Sequence, residues 1–164
     1  AAQAEAMVQR MTDVAAADGL TFRFDRIRPG NTFDAHRILH LAHELHMQDA
    51  VKERFLRAYM TEGEAIGEPE VLLRLATEAG LPEPEVRELL AGDRYSREVR
   101  ADEQEARSLH ISGVPFFVIA GCYGLSGAQP SETILGAISQ AWETMEAATA
   151  SFTESASCGP DGCG

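Results

Sequence analysis

The stretch Ile111-Ser112-Gly113-Val114-Pro115-Phe116-Phe117-Val118-Ile119 constrains this chain more than any other feature. Its apolar part is short, rich in β-formers and bounded by Gly113 and Gly121, so it predicts a strand rather than a helix. Cys122-Tyr123-Gly124-Leu125 reads as its hairpin partner. Phe116 to Ile119 is apolar at consecutive positions and therefore on both faces. Such a strand belongs inside a sheet covered on both sides. A lone two-stranded hairpin is marginal in water and leaves open edges. No other segment is a confident strand. The pattern therefore predicts that the remaining strands of the sheet come from residues upstream of Ala1 or from another chain.

Pro115 adds a second constraint. Proline at the start of a strand removes a ladder donor. An X–Pro bond adopts cis at modest cost and turns the chain sharply. A cis bond after Val114 would leave the Val114 amide free to bind an extended peptide or a thiol substrate. The plainer reading is an edge-strand proline with no role.

The rest of the chain reads as helices. Residues 1–18 are rich in good helix formers, with Met7, Met11 and Val14 on one stripe and Gly19 as the stop. Leu20–Phe24 alternates and reads as a short strand or an extended link. Asn31 or Thr32 caps the next helix, whose apolar face is Ile38, Leu41, Ala42 and Leu45. Further helices are expected from about Asp49, over 68–79, over 83–90 and over 94–109, with a loop from Thr61 to Gly67. The last of these carries a charged run that reads as a solvated face. Pro130 opens a final helix with Ile134, Leu135, Ile138, Trp142 and Met145 as its stripe. The stripes Met7/Met11 and Trp142/Met145 are expected to be core. From Ser151 a Ser-, Gly- and Ala-rich mobile tail is expected. No internal repeat is apparent.

Composition excludes several functions. A net charge of −12 argues against nucleic-acid surfaces and anionic membranes, which need clustered Lys and Arg. No apolar run approaches the length of a membrane span. Three cysteines are too few for a disulfide scaffold. The chain opens Ala1-Ala2-Gln3 with no Met and no apolar leader, so processing or a longer parent chain is expected.

Other candidate chemistry is sparse. His36, His40 and His43 share one helical face, but no His-Glu-x-x-His is present and Glu44 is expected off that face, so a polar face is preferred to a metal site. Cys158-Gly-Pro-Asp-Gly-Cys163 can close a small disulfide loop. It reads as an accessory redox pair, against the alternatives of half a metal site or idle thiols. Cys122 reads as a buried or half-buried small side chain.

Gly113-Val-Pro-Phe-Phe-Val-Ile, followed by Tyr123-Gly-Leu-Ser-Gly-Ala-Gln-Pro130, resembles the C-terminal half of the DsbA-like thioredoxin superfamily, in its FrnE-like branch. Asn31-Thr-Phe-Asp-Ala-His-Arg-Ile-Leu-His-Leu-Ala42 resembles the opening helix of that branch's inserted helical domain. Val99-Arg-Ala-Asp-Glu with Ala106 resembles the helix leading into the Val-Pro strand. The resemblance covers roughly residues 5–145.

The resemblance implies an α/β thioredoxin-like fold with a helical insertion. The present chain would be mostly α with one C-terminal β-hairpin and a final helix: 1–109 the insertion domain, incomplete at its start, 110–150 the C-terminal half of the thioredoxin-like domain, 151–164 the tail. It implies thiol–disulfide exchange by a Cys-x-x-Cys on the first helix. That motif is absent here and is expected upstream. Val114 and Pro115 would dock substrate, with Phe33, His36 and Arg37 bordering the cleft. His110 stands where the family usually has Gly. The expected partners are protein or small-molecule thiols and disulfides, with a homo-oligomer compatible; no cofactor or metal is called for, and the compartment expected is cytoplasmic. A glutathione-dependent isomerase with Ser in place of the first cysteine, and a non-catalytic peptide-binding remnant, are the alternatives.

Overall fold

The computed structural model describes residues 2–155. It divides into two compact units, Ala1–Glu105 and Ala106–Gly164, with the boundary inside a helix. Among the described residues no helix is long and apolar enough to cross a membrane.

The first unit is helical. It contains α1 (Ala2–Ala17), α2 (Phe33–Glu44), α3 (Gln48–Arg57), α4 (Pro69–Glu78), α5 (Glu83–Ala91) and most of α6 (Ser96–Ser108). The apolar positions of α2 to α5 recur at helical spacing and interlock. Ile38, Leu41, Val51, Leu72, Leu75, Leu81, Val86 and Leu89 are fully buried. Burying each such side chain stabilises by about 1.5–3 kcal/mol, so this cluster holds the unit together. Of the two readings of Leu20–Phe24 the link holds, since no strand forms there, and one expectation fails: Thr61 and Glu62, placed in a loop by the sequence, complete a π-turn, Ala58–Glu62, that prolongs α3.

Four helices end in the same way. After α1, α2, α4 and α6, Gly19, His46, Gly80 and His110 take left-handed angles of +77°, +56°, +104° and +55°. The residue that follows each (Leu20, Met47, Leu81, Ile111) donates to the carbonyl of an alanine five positions back (Ala15, Ala42, Ala76, Ala106), which satisfies an orphan carbonyl at the helix end. Glycine adopts this conformation without cost; the two histidines occupy it despite their Cβ atoms. His110, where glycine is usual in the resembling family, therefore keeps the glycine geometry.

The second unit holds the end of α6, β1 (Phe116–Ile119), β2 (Tyr123–Ser126) and α7 (Ser131–Ser155). The strands pair antiparallel, Phe116 opposite Ser126 and Ile119 opposite Tyr123. Ala120 and Gly121 turn the hairpin with φ of +53° and +70°. Gly124 admits the Phe116 ring, whose Cζ would lie 3.0 Å from any Cβ at that position. Because α7 runs through Ser155, residues 151–155 are helical rather than the start of a tail. Cys158 and Cys163 lie outside the described residues.

Several expected core residues are exposed instead. Met7 and Met11 on α1, and Leu135, Ile138, Trp142 (63% exposed) and Met145 on α7, face solvent, as do Phe117 and Val118 on β1. The periodicity was right for an apolar face, but among the described residues no second layer covers it.

Candidate functional site

In the second unit the chain leaves α6 at His110 and reaches β1 through Val114 and Pro115. The peptide bond between Val114 and Pro115 is cis. Val114 is 89% exposed, the most exposed of the large hydrophobic residues among those described. The Pro115 carbonyl accepts from the Gly127 N–H at 2.8 Å, which extends the hairpin ladder by one step and fixes Pro115 at its open end. An exposed valine beside a fixed proline at a strand entrance offers an apolar contact and nearby backbone to an incoming chain. Cys122 is exposed, against the expectation of burial, because the hairpin turn lifts it out; its thiol reaches only the Ile119 carbonyl, at 3.9 Å.

The remaining candidates lie on α2, in the first unit. His36 is exposed. Phe33 is half-buried, with the Arg100 guanidinium 4.4 Å above its ring. That contact is a cation–π interaction of about 0.5–1 kcal/mol. Arg37 corrects its expected role. It is 4% exposed and points inward. Its Nε donates to the Arg94 carbonyl (2.8 Å), its Nη2 to the carbonyls of Leu89 and Gly92, and its Nη1 to Asp34 Oδ1 (2.8 Å). Four of its five donors are thus committed, three of them to the end of α5 and the turn after it and one to Asp34 on α2 itself. Arg37 holds the unit together and does not face a substrate.

A polar cluster that the sequence reading missed surrounds Tyr95. His40 stacks on the Tyr95 ring (5.9 Å, 17°) and its Nε2 lies 2.9 Å from Asp102 Oδ2. The Tyr95 hydroxyl donates to Glu44 and accepts from Arg94 Nη2 at 2.8 Å. Glu44 is one turn from His40 and meets the same tyrosine, so it is not off the histidine face. The hydrogen bond from Tyr95 holds the Glu44 carboxyl below its usual range. Burial first, and then the Glu44 bond, push the Tyr95 hydroxyl up. Tyr95 has φ +63°, uncommon for a bulky side chain. Asp102 belongs to the charged run on α6, which is therefore more than a solvated face. Among the described residues no group of three or more His, Cys, Asp and Glu could hold a metal ion.

Comparison with known proteins gives a concordant result. The family model described as DSBA-like thioredoxin domain matches residues 1–139. The crystal structure of a probable DsbA oxidoreductase from Streptomyces coelicolor is similar, with a TM-score of 0.81 and 44% identity over 86% of this chain. The match covers 61% of that protein's chain, so the present chain spans less than two thirds of it. No curated protein matches.

Proposed function

The chain belongs to the DsbA-like thioredoxin domain family, and from that premise we propose that it is part of a FrnE-type thiol–disulfide oxidoreductase whose Val114–Pro115 loop docks the substrate. The oxidoreductase class is that of the family and of the structural neighbour. The docking role is carried by one observation, the nearly complete exposure of Val114 beside a proline fixed at the end of the hairpin ladder. His36 and Phe33 on α2 are proposed as further substrate contacts; the buried Arg37 is not one of them.

The chemistry requires two more sulfurs. A thiolate attacks one sulfur of the substrate disulfide and displaces the other as thiolate, which leaves a mixed disulfide. A second thiol then attacks the enzyme's own sulfur in that mixed disulfide. The enzyme pair becomes oxidised and the substrate carries two thiols. The first cysteine needs a lowered pKa, ordinarily supplied by a helix N-terminus. Cys122 sits on a hairpin turn without a neighbouring thiol among the described residues. The principal Cys-x-x-Cys is therefore placed, in this proposal, in a segment outside the 164 residues. The exposed apolar faces of α1, β1 and α7 support the same idea, since a further layer of sheet would bury them. The substrates are protein or small-molecule thiols and disulfides, in the reducing cytoplasm.

The docking role has a direct test in protein extended to include the dithiol. Val114→Asp is expected to raise KM for a peptide disulfide about tenfold, the cost of losing one apolar side-chain contact. Since Val114 is exposed, unfolding free energy should change by no more than about 0.5 kcal/mol. An unchanged KM would remove Val114 from the docking surface.

Cys158 and Cys163 are proposed as an accessory redox pair that relays electrons to the main dithiol. Replacing both by Ser in the extended protein is expected to slow steady-state exchange several-fold. An unchanged rate would show the tail thiols to be idle.

A further inference from the structure

A groove of about 380 Å³ opens in the helical unit, between the link that follows α1 and the end of α3 with its π-turn. Leu20, Phe22, Leu56 and Met60 give it an apolar lining. The link is held from one side only. The Arg23 N–H donates to the Met60 carbonyl (2.7 Å) and the Thr61 hydroxyl to the Thr21 carbonyl (2.7 Å), so residues 21 and 23 turn backbone groups toward the π-turn. Phe22, between them, has neither its N–H nor its carbonyl bonded to any described residue. Bonds at alternate residues leave the opposite edge of the link open, as at the edge of a sheet.

The helix that leads into this link is as bare. Ala15 is the one buried residue of α1 among those described, and Met7, Met11 and Val14 are exposed. Met7, Met11 and Ala15 lie one turn apart in a single row. The row ends at the link, because the Ala15 carbonyl accepts from the Leu20 N–H at 2.8 Å. A helix of this length owes most of its stability to packing of an apolar face, so the row calls for a cover.

The chain length of the structural neighbour indicates what that cover is. The match takes in 61% of that protein, so more than a third of it has no counterpart among these 164 residues. The 16 residues of α1 span about 24 Å at 1.5 Å per residue, and its last turn lies beside the groove. A segment joined ahead of α1 reaches the groove by returning along the exposed row.

We propose that the segment of the protein outside these 164 residues runs back over Met7 and Met11 and adds a strand to the open edge of the link at Phe22. Its apolar side chains fill the groove against Leu20, Leu56 and Met60. The inference rests on the proposed function for the existence of that segment. It adds that the helical unit binds the segment directly, by main-chain pairing and apolar burial.

The test is amide hydrogen exchange at Phe22, read by NMR on the chain alone and on the chain extended upstream through its dithiol. The Phe22 N–H is expected to exchange at least about a hundredfold more slowly in the extended protein, as a paired strand amide does against an open one. Leu56→Asp in the extended protein should remove at least about tenfold of that protection, because an apolar contact in the groove is lost. Leu56→Ala should act in the same direction by less, and serves if the aspartate prevents folding. In the chain alone, where Leu56 is exposed, neither variant should change Phe22 exchange.

Equal Phe22 exchange in the two proteins overturns the proposal. Protection that both Leu56 variants leave untouched overturns it too, since the segment would then lie elsewhere. Protection already present in the chain alone, and growing with its concentration, would make a second copy the occupant and overturn it equally. Failure of the oxidoreductase reading is separable: the extended protein would then reduce no insulin while Phe22 stayed protected and sensitive to Leu56.

Discussion

Replacing Arg37 by Met is expected to destabilise the helical unit by about 3–5 kcal/mol, read as a shift in the midpoint of urea unfolding at constant slope. Methionine keeps most of the apolar stem, so the loss falls on the guanidinium. Three carbonyls (Leu89, Gly92 and Arg94) would lose a charged donor, as would Asp34. Stranding a buried acceptor costs about 1–3 kcal/mol, and the Leu89 bond is fully buried. The other bonds are partly buried and contribute less. Arg37→Lys should recover little, because a single ammonium cannot span three carbonyls that a planar fork reaches at once. A loss below about 1 kcal/mol for Arg37→Met would show that water replaces the guanidinium freely and that Arg37 is not the clamp described.

Arg37 also shows where sequence reasoning stopped. It sits in Asn31–Ala42, a stretch that resembles a family helix near the active cleft, and the resemblance alone drew it into the site. Its direction is fixed by neighbours more than fifty residues away. No local pattern carries that information. His36, one residue earlier, points to solvent because a helix turns by about 100° per residue.

The helices of the first unit were legible for the opposite reason. Ile38, Leu41 and Ala42, Val51 and Phe55, and Leu72, Leu75 and Ala76 recur at helical spacing, and all are buried. The hairpin was equally legible from its continuous apolar run and flanking glycines. The same period misled on α1 and α7. Periodicity reports that a face is apolar, not that a partner is present to cover it, so Met7, Trp142 and Met145 were assigned to a core and are exposed.

Local irregularities were the least legible. The π-turn at Ala58–Glu62 has no propensity signature, and its geometry is fixed by the link it binds. Tyr95 carries no sign in sequence of its left-handed backbone or of its bonds to Glu44 and Arg94. One signal was available and unread. Ala15, Ala42, Ala76 and Ala106 each precede Gly or His by four residues and an apolar residue by five. That shared pattern marks four helix ends without any fixed period. It would have placed His46 and His110 as helix-ending residues.

The proposed function has these 164 residues supply the docking half of an exchange enzyme, with its reactive dithiol in a segment outside them. Insulin reduction with dithiothreitol as the electron source tests this directly. The chain alone is expected to match the dithiothreitol background. The chain extended upstream through a Cys-x-x-Cys is expected to exceed it by at least about tenfold, the gain in thiolate at neutral pH when a pKa near 8.5 falls to 7 or below. Equal rates for the two proteins, both well above background, would place the reactive sulfurs within the present chain and contradict the account.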